Sequence, residues 1–411
     1  MIKIEKIIPG GQALGTMEDG RKIFFWNALP DEIIEDYEIT KKKSHYYEAI
    51  ATKISKQSNE RILAKDECFL STSPWQIINW DYENRLKAEL VVEVFREHGI
   101  SVNIPAVFTD NNDFYYRNKM EYALYWSHDT SKISLAFHTR GSHRKIPIAQ
   151  SSIERPELFS AATKIVEDLN SRGEEARKYQ SLLLRCNQRG EVSGGLYVNH
   201  QPHPEFRNLT DVILNYNYSY SPNGFFQINL PVYELALKEI KKHINTNNVL
   251  DLYAGVGTIG LSVARDKSLT LVEVNKSAFT ELVKNCEVGF SEGIRSYDED
   301  ERAGLITTGG GDAPRRKTPL AILAKSEETL DYIRPNQTVI LDPPRAGCDK
   351  KLIDRLNEVK PATTIYLSCN PTTQARDAKM LLENYQIEDI KTFNFFPRTP
   401  HIENLIILKK I

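Results

Sequence analysis

Asn248-Val249-Leu250-Asp251-Leu252-Tyr253-Ala254-Gly255-Val256-Gly257-Thr258-Ile259-Gly260 is a short apolar run, a glycine turn and the start of a helical pattern that continues to Ala264. A buried strand, a turn where the backbone can approach a ligand, and a helix together form the opening unit of a doubly wound α/β sheet. The neighbouring chain repeats the pattern. Residues 269–272 are a second apolar run ending at Glu273, followed by helical spacing over 276–285. Val339-Ile340-Leu341 and Thr364-Ile365-Tyr366-Leu367 are two further runs. From Ser221 onward strands alternate with helices, including one over 233–243, which implies a parallel sheet.

The ends of these strands carry polar groups: Asp251, then Asp342-Pro343-Pro344-Arg345, then Ser368-Cys369-Asn370-Pro371. His401-Ile402-Glu403 stands just before the last apolar run, 405–408. Open α/β sheets bind and react at the carboxyl ends of their strands. Cys369 alone reads better as a small buried hydrophobe, the usual fate of a free cysteine, and it is the surrounding motifs that reverse this in favour of chemistry. Gly255-Val256-Gly257-Thr258-Ile259-Gly260 alone fits NAD, FAD or S-adenosylmethionine. An acid at Asp251, ahead of the glycines, would repel a pyrophosphate but suits a sulfonium ligand bearing an α-amino group. Glu273 stands where an acid takes both ribose hydroxyls. Paired prolines after a polar strand end are common in methyltransferases that act on bases; as simple strand terminators they would carry no function.

The first half of the chain is different. Strand alternation at 2–7, 22–26, 36–40 and 46–51, with turns at Pro9-Gly10-Gly11 and Glu18-Asp19-Gly20, suggests a small β-barrel. Lys41, Lys42 and Lys43 lie between its last two strands beside aromatic residues, a composition that can hold RNA by phosphate pairing and stacking and that equally describes a solvated turn. Helical spacing follows over 84–98. A second β-rich region begins at Tyr115, with strands near 133–138 and 182–185 and a helix near 159–170. Arg117 and Lys119, with Arg140, His143, Arg144 and Lys145 on a loop, form a basic cluster suited to a phosphate backbone or to plain solvation.

Composition bounds the rest. At 411 residues two or three domains are expected. A formal net charge of -2 gives no global attraction to nucleic acid, so any such contact must be local. No apolar run approaches a membrane span, and the opening residues have no sustained apolar core of a signal peptide. The 5 cysteines are scattered without a CxxC pair, so neither zinc nor an iron–sulfur site is expected. A cytoplasmic setting with free thiols fits these features.

Taken together, Gln227, Asp251-Leu252-Tyr253-Ala254-Gly255, Asp342-Pro343-Pro344-Arg345, Ser368-Cys369-Asn370-Pro371 and Glu403 resemble the RNA (uracil-C5)-methyltransferase family, which includes the 5-methyluridine enzymes of the tRNA T-loop and of 23S rRNA. The resemblance covers nearly the whole chain. It implies a multidomain α/β protein. Residues 1–56 would be an OB-like β-barrel of the TRAM type that binds RNA. Residues 57–84 and 113–218 would be a central α+β RNA-binding domain, and 85–112 with 219–411 a Rossmann-like class I methyltransferase domain. Cys369 is matched to the family's nucleophile and Glu403 to its general base. Arg345 is a candidate for stabilising the thiolate or holding the uracil carbonyl. Gln227, Tyr253, Thr258, Glu273 and Asp342 match positions that bind S-adenosylmethionine; Asp312, in a divergent loop over 289–319, is a candidate for the adenine. Lys41, Lys42, Lys43, Arg117, Lys119, Arg140 and Arg144 are the candidate RNA contacts. A monomer with no obligatory protein partner is expected, because the RNA supplies the large interface.

Two departures stand out. Thr258 replaces an asparagine seen in some members. Many members carry a [4Fe–4S] cluster on three closely spaced cysteines and a later fourth; here those places hold Cys68 with Ser71-Thr72-Ser73-Pro74, and Gln150-Ser151-Ser152. No cluster is therefore expected. Rival readings differ at named residues. An m5C enzyme usually has cysteine after its proline, where this chain has Pro344-Arg345. An N6-adenine enzyme usually has an aromatic where Arg345 stands. An idle RNA-binding or RNA-folding protein has no need of both Cys369 and Glu403. A Rossmann oxidoreductase is disfavoured by Asp251.

Overall fold

The computed structural model describes residues 1–287, 295–297 and 319–411. It divides into two compact units. One comprises residues 1–90, 111–206 and 396–401; the other comprises 91–110, 207–395 and 402–411.

The first unit opens with a closed barrel. Its strands are β1 (Ile2–Ile7), β2 (Ala13–Thr16), β3 (Lys22–Trp26), β4 (Ile33–Lys42) and β5 (Tyr46–Lys56), in the order β1-β2-β3-β5-β4. Alternation places Ile2, Ile4, Ile23, Phe25, Ile34 and Ala49 inside. Sequence periodicity finds four of these strands and misses β2. That strand has only four residues, and its Gly15 gives no apolar signal. A Cβ at Gly15 would lie 2.6 Å from Ile2 Cγ2, so the barrel needs the glycine there.

A long helix, Trp80–Glu97, follows, longer at its start than the spacing from 84 suggests. The two-residue strand β6 (Val107–Phe108) counts with the second unit. The first unit's other sheet contains β7 (Lys119–Ser127), β8 (Lys132–His138), β9 (Lys145–Pro147), β10 (Ser181–Cys186), β11 (Val192–Val198) and β12 (Gln201–His203), in the order β12-β11-β10-β7-β8-β9. The helix Pro156–Ser171 packs Leu158, Ala162, Val166 and Leu169 into the same core as Tyr122, Leu124, Leu135 and Leu182.

The second unit begins with a hairpin, β13 (Leu209–Ile213) and β14 (Tyr216–Tyr220). Its main sheet then adds β15 (Asn248–Leu252), β16 (Ser268–Glu273), β17 (Arg295–Tyr297), β18 (Leu320–Leu323), β19 (Thr338–Leu341), β20 (Thr363–Ser368), β21 (Tyr385–Phe393) and β22 (Glu403–Lys410). The order is β17-β18-β16-β15-β19-β20-β22-β21-β6. The six strands from β17 to β20 run parallel. Every residue of β19 and β20 is buried, as expected for strands covered on both faces. The chain passes from β15 to β16 on one side and to β19 on the other, so a topological switch point lies between β15 and β19.

Two features correct the sequence reading. The sheet is not wholly parallel: β22 runs antiparallel to both β20 and β21. Apolar runs indicate a buried strand but carry no direction. Residues 289–319, read as loop, contain β17, paired with β18; residues 289–294 and 298–318, Asp312 included, lie outside the described residues.

Candidate active site

The first strand end is built on Asp251. It is fully buried, and its Oδ2 accepts the Gly260 N–H at 2.8 Å. A Cβ on Gly260 would stand 2.8 Å from that same oxygen and 2.9 Å from Leu271 Cδ2, so glycine is required for the contact. Asp251 Oδ1 is buried with no hydrogen-bond partner among the described residues. Burial pushes this carboxyl up to about 8; the Gly260 N–H opposes the rise, and the charges of Asp342 and Glu273 add to it. The chain then turns through three left-handed residues, Tyr253 (φ 66°), Gly255 (φ 59°) and Gly257 (φ 89°). Tyr253 alone of the three has a Cβ, and holding it there costs about 1 kcal/mol, a strain typical of ligand-binding turns.

Around this turn, Glu273 accepts the N–H of Gly255 at 2.8 Å through Oε2 and of Asn275 at 2.6 Å through Oε1. Each carboxylate oxygen keeps a second lone pair. The Thr258 hydroxyl lies 2.9 Å from that of Tyr233. Gln227 is buried just ahead of the helix Leu230–Lys242.

The second strand end is Asp342-Pro343-Pro344-Arg345. Asp342 is pushed up to about 7 by burial. The main chain after it is tied to the helix Pro371–Leu381. Asn370 Nδ2 donates to the Arg345 carbonyl at 2.9 Å, Thr373 Oγ1 to the same oxygen at 3.2 Å, and Arg376 to the Ala346 carbonyl at 3.0 Å. Buried Asp377 accepts the Cys348 N–H at 2.8 Å and the Tyr366 hydroxyl at 2.9 Å.

The third strand end holds Cys369. Asn370-Pro371 begins this helix, which sequence reading saw only as the stop of a strand. Asn370 Oδ1 accepts the Thr372 N–H at 3.2 Å as the N-cap, and Pro371 occupies the first turn. Asparagine followed by proline was the signal available for that assignment. Cys369 is half-buried. Its thiol is pushed up to about 11, first by burial and then by the charge of Glu403, while Arg345 opposes through charge and a hydrogen bond. Glu403 is buried and raised well above the usual carboxylate range, first by burial and then by Asp342, again with Arg345 opposing. The structure thus brings together Cys369, Glu403, Asp342 and Arg345.

Their alignment comes from the sheet. Ser368 and Asn404 are partners in the β20–β22 ladder. Fully buried Gln374 locks this pair of strands: its Nε2 donates to the carbonyls of Tyr366 and Asn404 at 2.8 and 2.9 Å, and its Oε1 accepts from Asn404 Nδ2 at 2.7 Å. Gln374, Asp377 and Asn404 were not singled out in the sequence, because no local pattern distinguishes a buried amide from an exposed one. Chemically, a thiol, a high-pKa carboxyl and a guanidinium in one pocket can add a nucleophile to an electron-poor carbon and remove a proton from its neighbour.

The seven basic residues belong to the first unit. Lys41 pairs with Glu48 at 2.8 Å, Lys42 lies 5.6 Å from the Tyr47 ring, and Lys43 and Arg144 are exposed. Arg140 is engaged in packing: its Nε donates to the Leu70 carbonyl at 2.6 Å and its guanidinium lies 4.3 Å from the Trp26 ring. Arg117 Nε donates to the Lys119 carbonyl at 3.0 Å. The Lys119 ammonium is lowered to about 8 by burial and then by Arg185. Among the described residues no group of His, Cys, Asp and Glu has a metal-holding arrangement, and no helix is long and apolar enough to cross a membrane.

Comparison with known proteins adds the following. Residues 207–411 match the tRNA (uracil-5-)-methyltransferase family model. An uncharacterized RNA methyltransferase of Synechocystis is 26% identical over 98% of this chain and 93% of its own. One from Enterococcus faecalis is 26% identical over 100% of this chain and 97% of its own. The solved tRNA (uracil-54, C5)-methyltransferase of Pyrococcus abyssi, in complex with S-adenosyl-L-homocysteine, aligns over 99% of this chain and 100% of its own at TM-score 0.70 and 22% identity, a likeness of fold.

Proposed function

The chain belongs, through residues 207–411, to the tRNA (uracil-5-)-methyltransferase family, and on that premise we propose that it methylates carbon 5 of a specific uridine in a structured RNA, a tRNA T-loop or 23S rRNA, by a covalent route. The observation that carries the covalent route is the proximity of Cys369, Glu403 and Arg345 at adjoining strand ends.

The cofactor is S-adenosylmethionine, which supplies a methyl group on a sulfonium. The strand end at Asp251 suits it. The unpartnered Asp251 Oδ1 is a ready acceptor for the α-amino group, and the spare lone pairs of Glu273 suit ribose hydroxyls. Tyr253, Gln227, Thr258 and Asp342 complete the pocket in this reading.

Uracil C5 is a weak nucleophile. Cys369 Sγ bonds to C6, the C5–C6 π electrons move toward O4, and C5 gains carbanion character. Carbon 5 would then take the methyl group from the sulfonium, whose sulfur would keep the S–CH3 bonding pair and leave as the neutral thioether S-adenosyl-L-homocysteine. Glu403 removes the C5 proton, the C5–C6 double bond re-forms and the Sγ–C6 bond breaks. Arg345 stabilises the thiolate. A sulfonium cation bound beside them would favour the ionised forms of Cys369, Glu403 and Asp342, coupling cofactor loading to activation. The base must leave its stack to admit two reactants. The barrel over residues 1–56 and the basic residues Lys41, Lys42, Lys43, Arg117, Lys119, Arg140 and Arg144 are the proposed RNA contacts.

The test is nucleoside mass spectrometry of tRNA and of 23S rRNA after incubation with the protein and S-adenosylmethionine, beside Cys369→Ala. 5-Methyluridine in one RNA, absent with the variant, is the expected result. RNA binding without 5-methyluridine in either RNA would overturn it.

A further inference from the structure

The first unit carries a cation–aromatic cluster outside every role assigned above. Lys65 Nζ lies 4.7 Å from the centroid of the Phe114 ring and 4.5 Å from that of Tyr115. Tyr115 is 43% exposed, and Leu63 nearby is 94% exposed. A single exposed apolar residue carries no meaning. An exposed aromatic ring with a lysine against it has the composition of a platform for unpaired bases.

The cluster stands on a rigid base. The N–H groups of Lys65 and Asp66 both donate to Gln76 Oε1 at 3.0 Å. Gln76 is fully buried, and its Nε2 donates to Asp66 Oδ2 at 2.9 Å and to Ser73 Oγ at 2.7 Å. Tyr115 donates its N–H to the Ser152 carbonyl at 2.9 Å. Ser152 in turn donates its N–H and hydroxyl to Asp66 at 2.9 and 2.7 Å. One buried network therefore fixes the backbone of both exposed side chains. Pre-organisation of this kind lowers the entropy lost on binding.

The backbone of Tyr115 adds a third observation. Its φ is 56°, a left-handed conformation that glycine adopts freely and tyrosine does not. A tyrosine there strains its own backbone and leaves much of its ring in solvent. Its hydroxyl is hydrogen-bonded to the side chains of Lys65 and Ser152, which holds the ring beside the lysine with one face open for a further contact.

We propose that Lys65, Phe114 and Tyr115 form a separate RNA contact, in which Tyr115 stacks an unpaired base and Lys65 pairs with an adjoining phosphate. This rests on the reading of the protein as an RNA methyltransferase. A protein partner is the poorer fit, because lysine is depleted at the desolvated centre of protein interfaces, whereas a phosphate needs a cation at the edge of the stack.

The experiment measures binding of the full chain to a fluorescently labelled RNA hairpin with a single-stranded loop, over a range of salt, with thermal unfolding in parallel. The variants are Tyr115→Gly, Tyr115→Phe and Lys65→Gln. Tyr115→Gly should weaken binding roughly tenfold, the effect of losing one base stack, while its Tm stays level or rises because the backbone strain is gone. Tyr115→Phe keeps the ring and should bind within about twofold of wild type. Lys65→Gln should weaken binding and reduce the salt slope by about one. A folded Tyr115→Gly that binds as wild type does would overturn the stacking role. An unchanged salt slope in Lys65→Gln would overturn the phosphate role. If the wild-type chain binds no RNA, the methyltransferase reading itself falls and takes this contact with it.

Discussion

Ser368 on β20 and Asn404 on β22 are direct partners in an antiparallel ladder, and that register sets Cys369 opposite Glu403. The proposed base, Glu403, is held within β22, and the proposed nucleophile, Cys369, stands in the bend one residue past the end of β20. The roles are separable by mutation. Cys369→Ala should abolish methylation, by at least about 10³-fold, with RNA affinity kept. Glu403→Gln should allow addition to C6 but slow removal of the C5 proton. A protein–RNA adduct resistant to denaturing electrophoresis should then accumulate, and its absence in both the wild type and Glu403→Gln would count against the covalent route.

The pH dependence follows from the raised acids. Glu403 must be ionised to act as base, and its pKa lies well above the usual carboxylate range. Burial pushes the Cys369 thiol up to about 11. Single-turnover rates should therefore climb with pH through and above neutrality. Arg345 lowers both groups. In Arg345→Gln the rising limb should move to higher pH, and a limb that stays in place would remove Arg345 from the ionisation equilibrium.

Asp251 makes a prediction for stability. In the folded chain it holds its proton up to about pH 8, against an ordinary value of 3.8. Between those values the folded state binds more protons than the unfolded state, so stability declines as pH rises from about 4 to 8. Asp342, raised to about 7, acts in the same direction. Asp251→Asn removes one titration while keeping an acceptor for the Gly260 N–H. The Tm of the ligand-free protein at pH 5, 6, 7 and 8 should fall less steeply in this variant than in wild type.

Gly260→Ala should damage the cofactor turn. The added Cβ would meet Asp251 Oδ2 at 2.8 Å and Leu271 Cδ2 at 2.9 Å. Overpacking on this scale costs about 1–3 kcal/mol. Because it also displaces Asp251, calorimetric binding of S-adenosyl-L-homocysteine should weaken about tenfold or more. Full affinity in a folded variant would show that Asp251 does not shape the pocket.

Gln374→Leu tests the strand lock. It leaves the carbonyls of Tyr366 and Asn404 and the Asn404 amide without their partner. Unsatisfied buried groups cost about 1–3 kcal/mol each. Urea unfolding should show a lower midpoint, and methylation should fall because Glu403 sits one residue, and Cys369 three residues, from the backbone that Gln374 holds.

Much of the second unit was legible because its signals are local. Apolar runs at 248–252, 269–272, 339–341 and 364–367 fall on β15, β16, β19 and β20, since strands buried on both faces read as continuous apolar segments. The motif residues at the strand ends were named from sequence, and in the structure Cys369, Glu403, Asp342 and Arg345 lie close enough to shift one another's ionisation. The antiparallel direction of β22 was not legible, because side-chain alternation is the same in either direction. The short strand β2 was missed through its glycine, and the N-cap role of Asn370 because Asn-Pro also ends strands.

The sequence by itself determined the fold class of the second unit and the residue types at its strand ends, because periodicity, glycine turns and motif spacing are properties of neighbouring residues. Only the tertiary structure decided which charges are buried and what they face. Glu83 and Lys87 share one helix, and nothing in their local sequence sets them apart from surface charges. In the fold both are buried, and Glu83 accepts the backbone N–H of Arg398, 315 residues away. The same holds for the raised pKa values of Asp251 and Asp342, which come first from burial. Desolvation depends on every atom packed around a group, and those atoms come from distant parts of the chain.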